Sequence, residues 1–185
     1  MSEFRRVGER TVHQGHIWSV SVAQFESPAG ETFERDIVRS PGAVGVVPLL
    51  FDPEGVASVV LVEQYRPALD RAVVEIPAGM RDVPGEDPVA TAARELTEEV
   101  GLVASRLEHL TTFSPSPGMT DATTMVFLAL DCTTTQRDAQ GPEEEAMITH
   151  HLPLADALGH IESGSIHDAK TVIALLMLER RLAHA

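Results

Sequence analysis

Gly15 to Phe25 alternates closely enough between apolar and polar residues to predict a β-strand, with Ile17, Val20 and Val22 among its apolar positions. Ser27-Pro28-Ala29-Gly30 reads as a turn, and Thr32 to Arg39 as the return strand. A hairpin this small cannot enclose a core, so it must pack on the main domain or on a second subunit. Pro41-Gly42 punctuates the chain, and the unbroken apolar run from Ala43 to Phe51 predicts a buried strand. Asp52-Pro53-Glu54-Gly55 turns into a further strand over Ala57 to Tyr65. Beyond it the pattern predicts strands at 73–77, 107–113, Thr124 to Leu130 and Met147 to Leu152, and helices at 88–100, 154–162 and 168–182. Thr133 to Pro142 is polar and is expected to be a mobile loop. Strands interleaved with a few helices make an α/β (α+β) sandwich with a mixed sheet. The expected organisation is a small antiparallel β region over 1–42 ahead of a main domain over 43–185.

With 185 residues and 43% hydrophobic content, the chain can bury a sizeable core. Its 28 acidic and 14 basic residues give a formal charge of −14. That balance argues against binding to nucleic acid or to an anionic membrane, both of which need basic patches. A nucleotide is still admissible, because a bound metal and a few placed arginines can invert the local field. Cys132 is the single cysteine, so no intrachain disulfide can form, and a small buried hydrophobe is its expected role. No apolar stretch approaches the roughly 20 residues of a membrane span. Met1 to Arg10 is charged and lacks the hydrophobic region of a signal peptide, so a soluble cytoplasmic protein is expected. Neither a phosphate-binding P-loop nor a Gly-x-Ser-x-Gly elbow occurs, which leaves kinase and serine-hydrolase readings without support.

The chemistry concentrates in Arg94-Glu95-Leu96-Thr97-Glu98-Glu99-Val100-Gly101-Leu102. Asp87-Pro88 predicts a helix start, a capping acceptor followed by proline at the first helical position, and Gly101 predicts its end. Glu95, Glu98 and Glu99 share one face of that helix, while Val89, Ala92, Ala93, Leu96 and Val100 form a neighbouring face able to dock on a core. Arg94 can pair with Glu98, but one guanidinium cannot neutralise three carboxylates. A hard divalent cation such as Mg2+, which prefers oxygen ligands, is the natural partner.

Upstream, the apolar run Val73 to Ala78 leads to Gly79, a Gly-containing loop and Glu86, with Arg94 following after seven residues. This order resembles the box of the Nudix family, G-x5-E-x7-R-E-U-x-E-E-x-G-U with U aliphatic. Every defining position from Glu86 to Leu102 matches; between Gly79 and Glu86 stand six residues where the box has five, in a loop holding Pro84 and Gly85. Further segments resemble the ADP-ribose pyrophosphatase branch, and its actinobacterial members in particular: Ile17-Trp18-Ser19-Val20, Arg35-Asp36-Ile37-Val38, Pro41-Gly42-Ala43-Val44, Val62-Glu63-Gln64-Tyr65-Arg66, Glu75-Ile76-Pro77-Ala78-Gly79 and Ser116-Pro117-Gly118. Pro117 stands sixteen residues past Gly101, where the branch carries a specificity-marking proline. The resemblance implies the Nudix α/β/α sandwich.

It also implies a reaction, hydrolysis of a pyrophosphate, which turns ADP-ribose into AMP and ribose 5-phosphate. Such a site must neutralise a dianionic substrate, hold water in line with phosphorus and stabilise the leaving phosphate. On the resemblance Glu95 and Glu99 clamp Mg2+, with Mn2+ or Zn2+ as substitutes. Glu98 ligates metal or orients the water, and the Ala78 carbonyl is a further ligand. Arg94 is expected to orient the glutamates, with Glu86 as its partner. The general base of this branch comes from a late acidic loop, here Glu143-Glu144-Glu145. Aligning Met147 with the strand that follows favours Glu143 as base and Glu145 as a metal-linked group, while a gap of one moves the base to Glu144. On the first alignment Glu143→Gln loses at least about two orders of magnitude in kcat.

Arg66 resembles a phosphate-contacting arginine of the family, and Arg35 one that reaches the nucleotide from the N-terminal region. Gly79, Pro117, Gly118 and Met119 complete the expected substrate set, and Trp18 or Phe33 can stack on adenine. The N-terminal hairpin fits the family habit of a homodimer in which this region completes the partner's pocket. Two other functions are compatible with the sequence: hydrolysis of another nucleoside diphosphate sugar such as GDP-mannose, and non-catalytic ADP-ribose sensing.

Overall fold

The computed structural model describes residues 3–184, and the chain divides into two units. The first ends at Gly42 and takes in Ser114–Thr123; the second comprises Ala43–Phe113 and the chain from Thr124 onward.

The first unit is a three-stranded antiparallel sheet in the order β1 (Arg5–Gln14), β2 (Ser19–Glu26), β3 (Thr32–Arg39). β2 and β3 are the hairpin read from the sequence, and β1 is an addition to it. All but one of β1's residues are exposed, so no buried face imposes an apolar alternation on it, and backbone pairing with β2 holds it instead. Between β2 and β3 the Ser27 hydroxyl accepts the Ala29 and Glu31 amides at 3.2 and 3.1 Å, closing the turn. Phe25 and Phe33 stack across the pair, 5.6 Å between ring centroids. Ser114–Thr123 is pinned to β3, where the Val38 amide donates to the Met119 carbonyl at 2.9 Å and Arg39 pairs with Asp121 at 2.9 Å.

The second unit is a mixed seven-stranded sheet between helices. Its strands are β4 (Ala43–Phe51), β5 (Ala57–Arg66), β6 (Arg71–Glu75), β7 (Ala78–Met80), β8 (Leu102–Phe113), β9 (Thr124–Thr134) and β10 (Ile148–Pro153). They run in the order β10-β5-β4-β9-β8, with β6 beside β5 and β7 beside β4. β4 and β9 are parallel and the other pairings antiparallel. The helices are α1 (Pro88–Val100), α2 (Pro142–Glu145), α3 (Leu154–Glu162) and α4 (Ala169–Leu182).

Period-two alternation divides the core. Val44 and Val46 of β4, Val60 of β5, and Phe127 and Ala129 of β9 meet Ala92 and Leu96 of α1 on one face. Val47 and Leu49, Val59 and Leu61, and Val126 and Leu128 meet α3 and α4 on the other, through Leu154, Ala157, Ala174, Leu175 and Leu178. This is an α/β/α sandwich with a mixed sheet. Two expected elements are longer than the apolar pattern suggested, with β8 starting at Leu102 and β9 continuing to Thr134. Among the described residues no helix is long and apolar enough to cross a membrane.

Candidate active site

The site grows from the way α1 is laid against β7. Asp87 caps α1 by accepting the Val89 amide at 2.8 Å, Pro88 opens it, and Gly101 closes it in the left-handed conformation at φ 63°. Ala92 and Leu96 are fully buried beneath the helix. Val89 and Ala93, expected on the docking face, are exposed instead, so that stripe is narrower than the sequence implied. The space beside it is occupied by two carboxylates, since Glu95 is 5% exposed and Glu99 only 3%.

Both are held against the strand. The Ala78 amide donates to Glu99 Oε2 at 2.9 Å. Glu95 crosses directly over Gly79, where a Cβ would stand 2.0 Å from its carboxyl carbon. A side chain at this position would therefore displace the Glu95 carboxylate. Arg94 reaches across the cluster, with Nη1 2.8 Å from Glu95 and 2.7 Å from Glu98, and Nε 3.6 Å from Glu86. Glu86 is in turn fixed by the Thr91 hydroxyl, which donates to it at 2.7 Å.

One guanidinium leaves the charge unbalanced. Burial pushes the Glu95 carboxyl up to about 7, with Glu98 and Glu144 adding to the shift and Arg94 opposing it. Burial likewise pushes Glu99 up to about 8, with Glu95 and Glu144 adding to it, against the Ala78 amide and Arg66. Buried carboxylates with raised pKa, surrounded by oxygen donors, are the environment a hard dication relieves. Glu95, Glu98, Glu99 and the Ala78 carbonyl fit such an ion by donor chemistry. Among the described residues no three His, Cys, Asp or Glu side chains already converge at metal-ligand spacing. The reason is visible in the contacts: Arg94 engages Glu95 and Glu98, and Glu99 faces the Ala78 amide.

The late acidic segment is a single helical turn, α2, capped by no side chain. Consecutive residues of a helix point about 100° apart, so the three glutamates face different directions. Glu144 is the one whose charge acts on both Glu95 and Glu99. Glu143 lines a different cavity of about 360 Å³ with Glu63, Gln64, Tyr65 and Ile148. Glu145 is exposed. Of the two expected bases, Glu144 is thus the one near the box carboxylates, and Glu143 lies at the other cavity.

Arg137 holds this turn in place. It donates to the carbonyls of Glu98 at 3.4 Å and Met147 at 3.3 Å, and also to that of Glu144. The segment expected to be mobile is therefore anchored to α1. Arg137 went unnoticed in the sequence, although it is the only cation between Thr133 and Pro142.

Arg66, at the end of β5, forms a two-pronged pair with Glu75, Nε to Oε1 at 2.7 Å and Nη2 to Oε2 at 2.6 Å. Glu75 raises the Arg66 pKa despite the opposing effect of burial, and Glu99 adds to the rise, which places Arg66 electrostatically within the cluster. In the first unit, Arg35, Pro117, Gly118 and Met119 line one groove of about 330 Å³ together with Arg39 and Asp121. Trp18 does not line it: it sits exposed in the turn between β1 and β2, its carbonyl accepting the Gly15 amide. Phe33 is committed to Phe25 on one side and lies 4.7 Å beneath the Arg35 guanidinium on the other. His150 contacts Glu63 at 2.9 Å.

Comparison with known proteins agrees with this architecture. A family model described as the NUDIX domain matches residues 39–175. The methanol dehydrogenase activator of Bacillus methanolicus is 37% identical over 184 residues, 98% of this chain and 97% of that protein. The ADP-ribose pyrophosphatase of Bacillus subtilis (strain 168) is 36% identical over 181 residues, 98% and 95% of the two chains. A crystal structure of an ADP compounds hydrolase superposes with a TM-score of 0.84 at 23% identity, covering 98% of this chain and 95% of that one, and so shares the fold.

Proposed function

The chain belongs to the Nudix family, and on that premise we propose that it hydrolyses the pyrophosphate of ADP-ribose, releasing AMP and ribose 5-phosphate with Mg2+ as cofactor. The observation that carries this reading is the pair of buried carboxylates, Glu95 and Glu99, packed on the Ala78-Gly79 peptide with too little positive charge around them. The near-full-length similarity to an ADP-ribose pyrophosphatase supports the choice of substrate.

Mg2+ bound there by Glu95, Glu99, Glu98 and the Ala78 carbonyl supplies Lewis-acid polarisation and neutralises the diphosphate. The chain's own groups do the rest. Arg66, anchored by Glu75, offers its free Nη1 edge to a phosphate oxygen. Glu144 takes a proton from the attacking water as its oxygen bonds to phosphorus and the bridging P–O bond breaks. Arg94 and Glu86 keep Glu95 and Glu98 oriented.

For the nucleoside we assign the groove bearing Arg35, Pro117, Gly118 and Met119. We assign the working form as a homodimer formed through the N-terminal unit, which leaves Val7, Val12 and Trp18 between 42% and 55% exposed on a small sheet. The free, half-buried thiol of Cys132 accords with a cytoplasmic setting. The test is incubation with ADP-ribose, GDP-mannose, FAD and NADH, with and without Mg2+, followed by product identification. Selective, Mg2+-dependent release of AMP from ADP-ribose is expected. Preferred turnover of GDP-mannose would reassign the substrate, and binding without turnover would mark a sensor.

A further inference from the structure

Glu75 is 2% exposed and carries two cations, Arg66 from β5 and Lys170 from the first turn of α4. Lys170 also lies 3.1 Å from Asp168, the residue that caps α4 by accepting the Thr171 amide and hydroxyl at 3.0 and 2.6 Å. The next residue completes the grip, since the Thr171 hydroxyl oxygen accepts the Ile76 amide at 2.8 Å. One turn of α4 therefore holds adjacent residues of a single strand end, Glu75 by its side chain and Ile76 by its backbone. Two residues further on stands Ala78, whose amide meets Glu99.

A buried ion pair is weak grounds for stability, because desolvating its charges costs about as much as their attraction returns. Such a pair is better at fixing a direction. Glu75 uses both its oxygens on the Nε and Nη2 edge of Arg66, which leaves Nη1 without a protein partner among the described residues. The Arg66 side chain is 38% exposed, while Glu75 and Lys170 are 3% and 15% exposed. Arg66 is thus the accessible member of this group, and Glu75 and Lys170 are its buried mount.

We propose that Lys170 is a positioning residue for phosphate recognition: it locks the Glu75 carboxylate, and through it aims the free edge of Arg66 at the substrate diphosphate. This rests on the reading of Arg66 as a phosphate contact. Lys170 touches no substrate itself. Its removal lets Glu75 rotate, and the guanidinium turns with it.

The test is steady-state kinetics on ADP-ribose with Mg2+ for Arg66→Met, Lys170→Gln, Lys170→Met, Lys170→Arg and the double variant Arg66→Met/Lys170→Met. Two neutral Lys170 variants are made so that one that fails to fold leaves the other, and melting temperatures identify the folded ones. The neutral variants are expected to raise KM about tenfold with kcat changed less than about threefold, the pattern of lost ground-state binding. Lys170→Arg, which keeps a cation on Glu75, is expected to recover most of that loss. In the double variant KM is expected to be no higher than in Arg66→Met alone, because Lys170 acts only through Arg66. If Arg66→Met leaves KM unchanged, the phosphate-contact reading falls and takes this inference with it. If Arg66→Met raises KM but the Lys170 variants do not, or the two effects multiply, the positioning role alone is overturned.

Discussion

Glu99 illustrates how burial makes a charged side chain costly for folding. Its carboxyl is raised to about 8 by burial, with Glu95 and Glu144 adding to it. A carboxyl raised in the folded state stabilises the protein fully below its unfolded value, roughly 4.3, and that contribution is lost as pH rises through the folded value. The metal-free protein should therefore lose stability between about pH 4.5 and 8. Glu99→Gln, which can still accept the Ala78 amide, should melt higher than the wild type at pH 8.5 without metal, and should no longer gain from Mg2+. Thermal melts with EDTA or Mg2+ check both points, and a lower metal-free melting temperature in the variant would count against the assignment. Gly79 makes a complementary prediction. Gly79→Ala pushes a Cβ into the Glu95 carboxylate, the free end of a flexible side chain, so the protein should fold. Mg2+ affinity should drop about tenfold or more, the scale of a disturbed ligand shell, as read by calorimetry. At this level the sequence was informative about the box, because its spacing depends only on helical periodicity. It was uninformative about the contacts of Arg137 with Glu98 and of Lys170 with Glu75, which lie 39 and 95 residues apart and are brought together only by the fold.

The element that carries the late glutamates sets which way each one faces. Glu143, Glu144 and Glu145 look equivalent as a string, and alignment on Met147 preferred the first. In the helical turn Pro142–Glu145, Glu144 adds to the raised pKa of Glu95 and Glu99, while Glu143 lines a cavity beside Tyr65 and Ile148. Glu144→Gln should lose about 100-fold or more in kcat, the usual scale of a general base, while Glu143→Gln should stay close to wild type. The reverse ranking would restore the alignment. Arg137→Ala should lower kcat while affecting KM less, because it frees the turn that carries Glu144 without touching the phosphate contacts. Helices α1, α3 and α4 and the strands β4, β5 and β9 were legible since each buries an apolar stripe or run, whereas α2 buries nothing and was not. β1 was not, because a strand exposed on nearly every residue is held by backbone pairing and has no hydrophobic period to display.

For the whole molecule, the boundary after Gly42 coincides with a Pro-Gly break that local sequence can display. The membership of Ser114–Thr123 in the first unit cannot be read that way, because it depends on long-range contacts such as Arg39 with Asp121. This placement brings Arg35 and Pro117 to one groove, although 81 residues separate them in the chain. If the homodimer shares its sites, mixing inactive Arg35→Ala with inactive Glu99→Gln should restore activity as subunits exchange. No recovery, or a monomer by light scattering, would remove the partner from the site.

On the proposed function the α1 carboxylates form a metal-dependent pyrophosphatase centre. Chromatographic measurement of AMP released from ADP-ribose, for wild type and Glu99→Gln with Mg2+ and with EDTA, tests it most directly. The prediction is stoichiometric AMP and ribose 5-phosphate from the wild type with Mg2+, and at least about 100-fold less in the three other conditions, as expected when a metal centre is lost. Equal AMP release with EDTA, undiminished release by Glu99→Gln, or no AMP from the wild type with Mg2+ would contradict it.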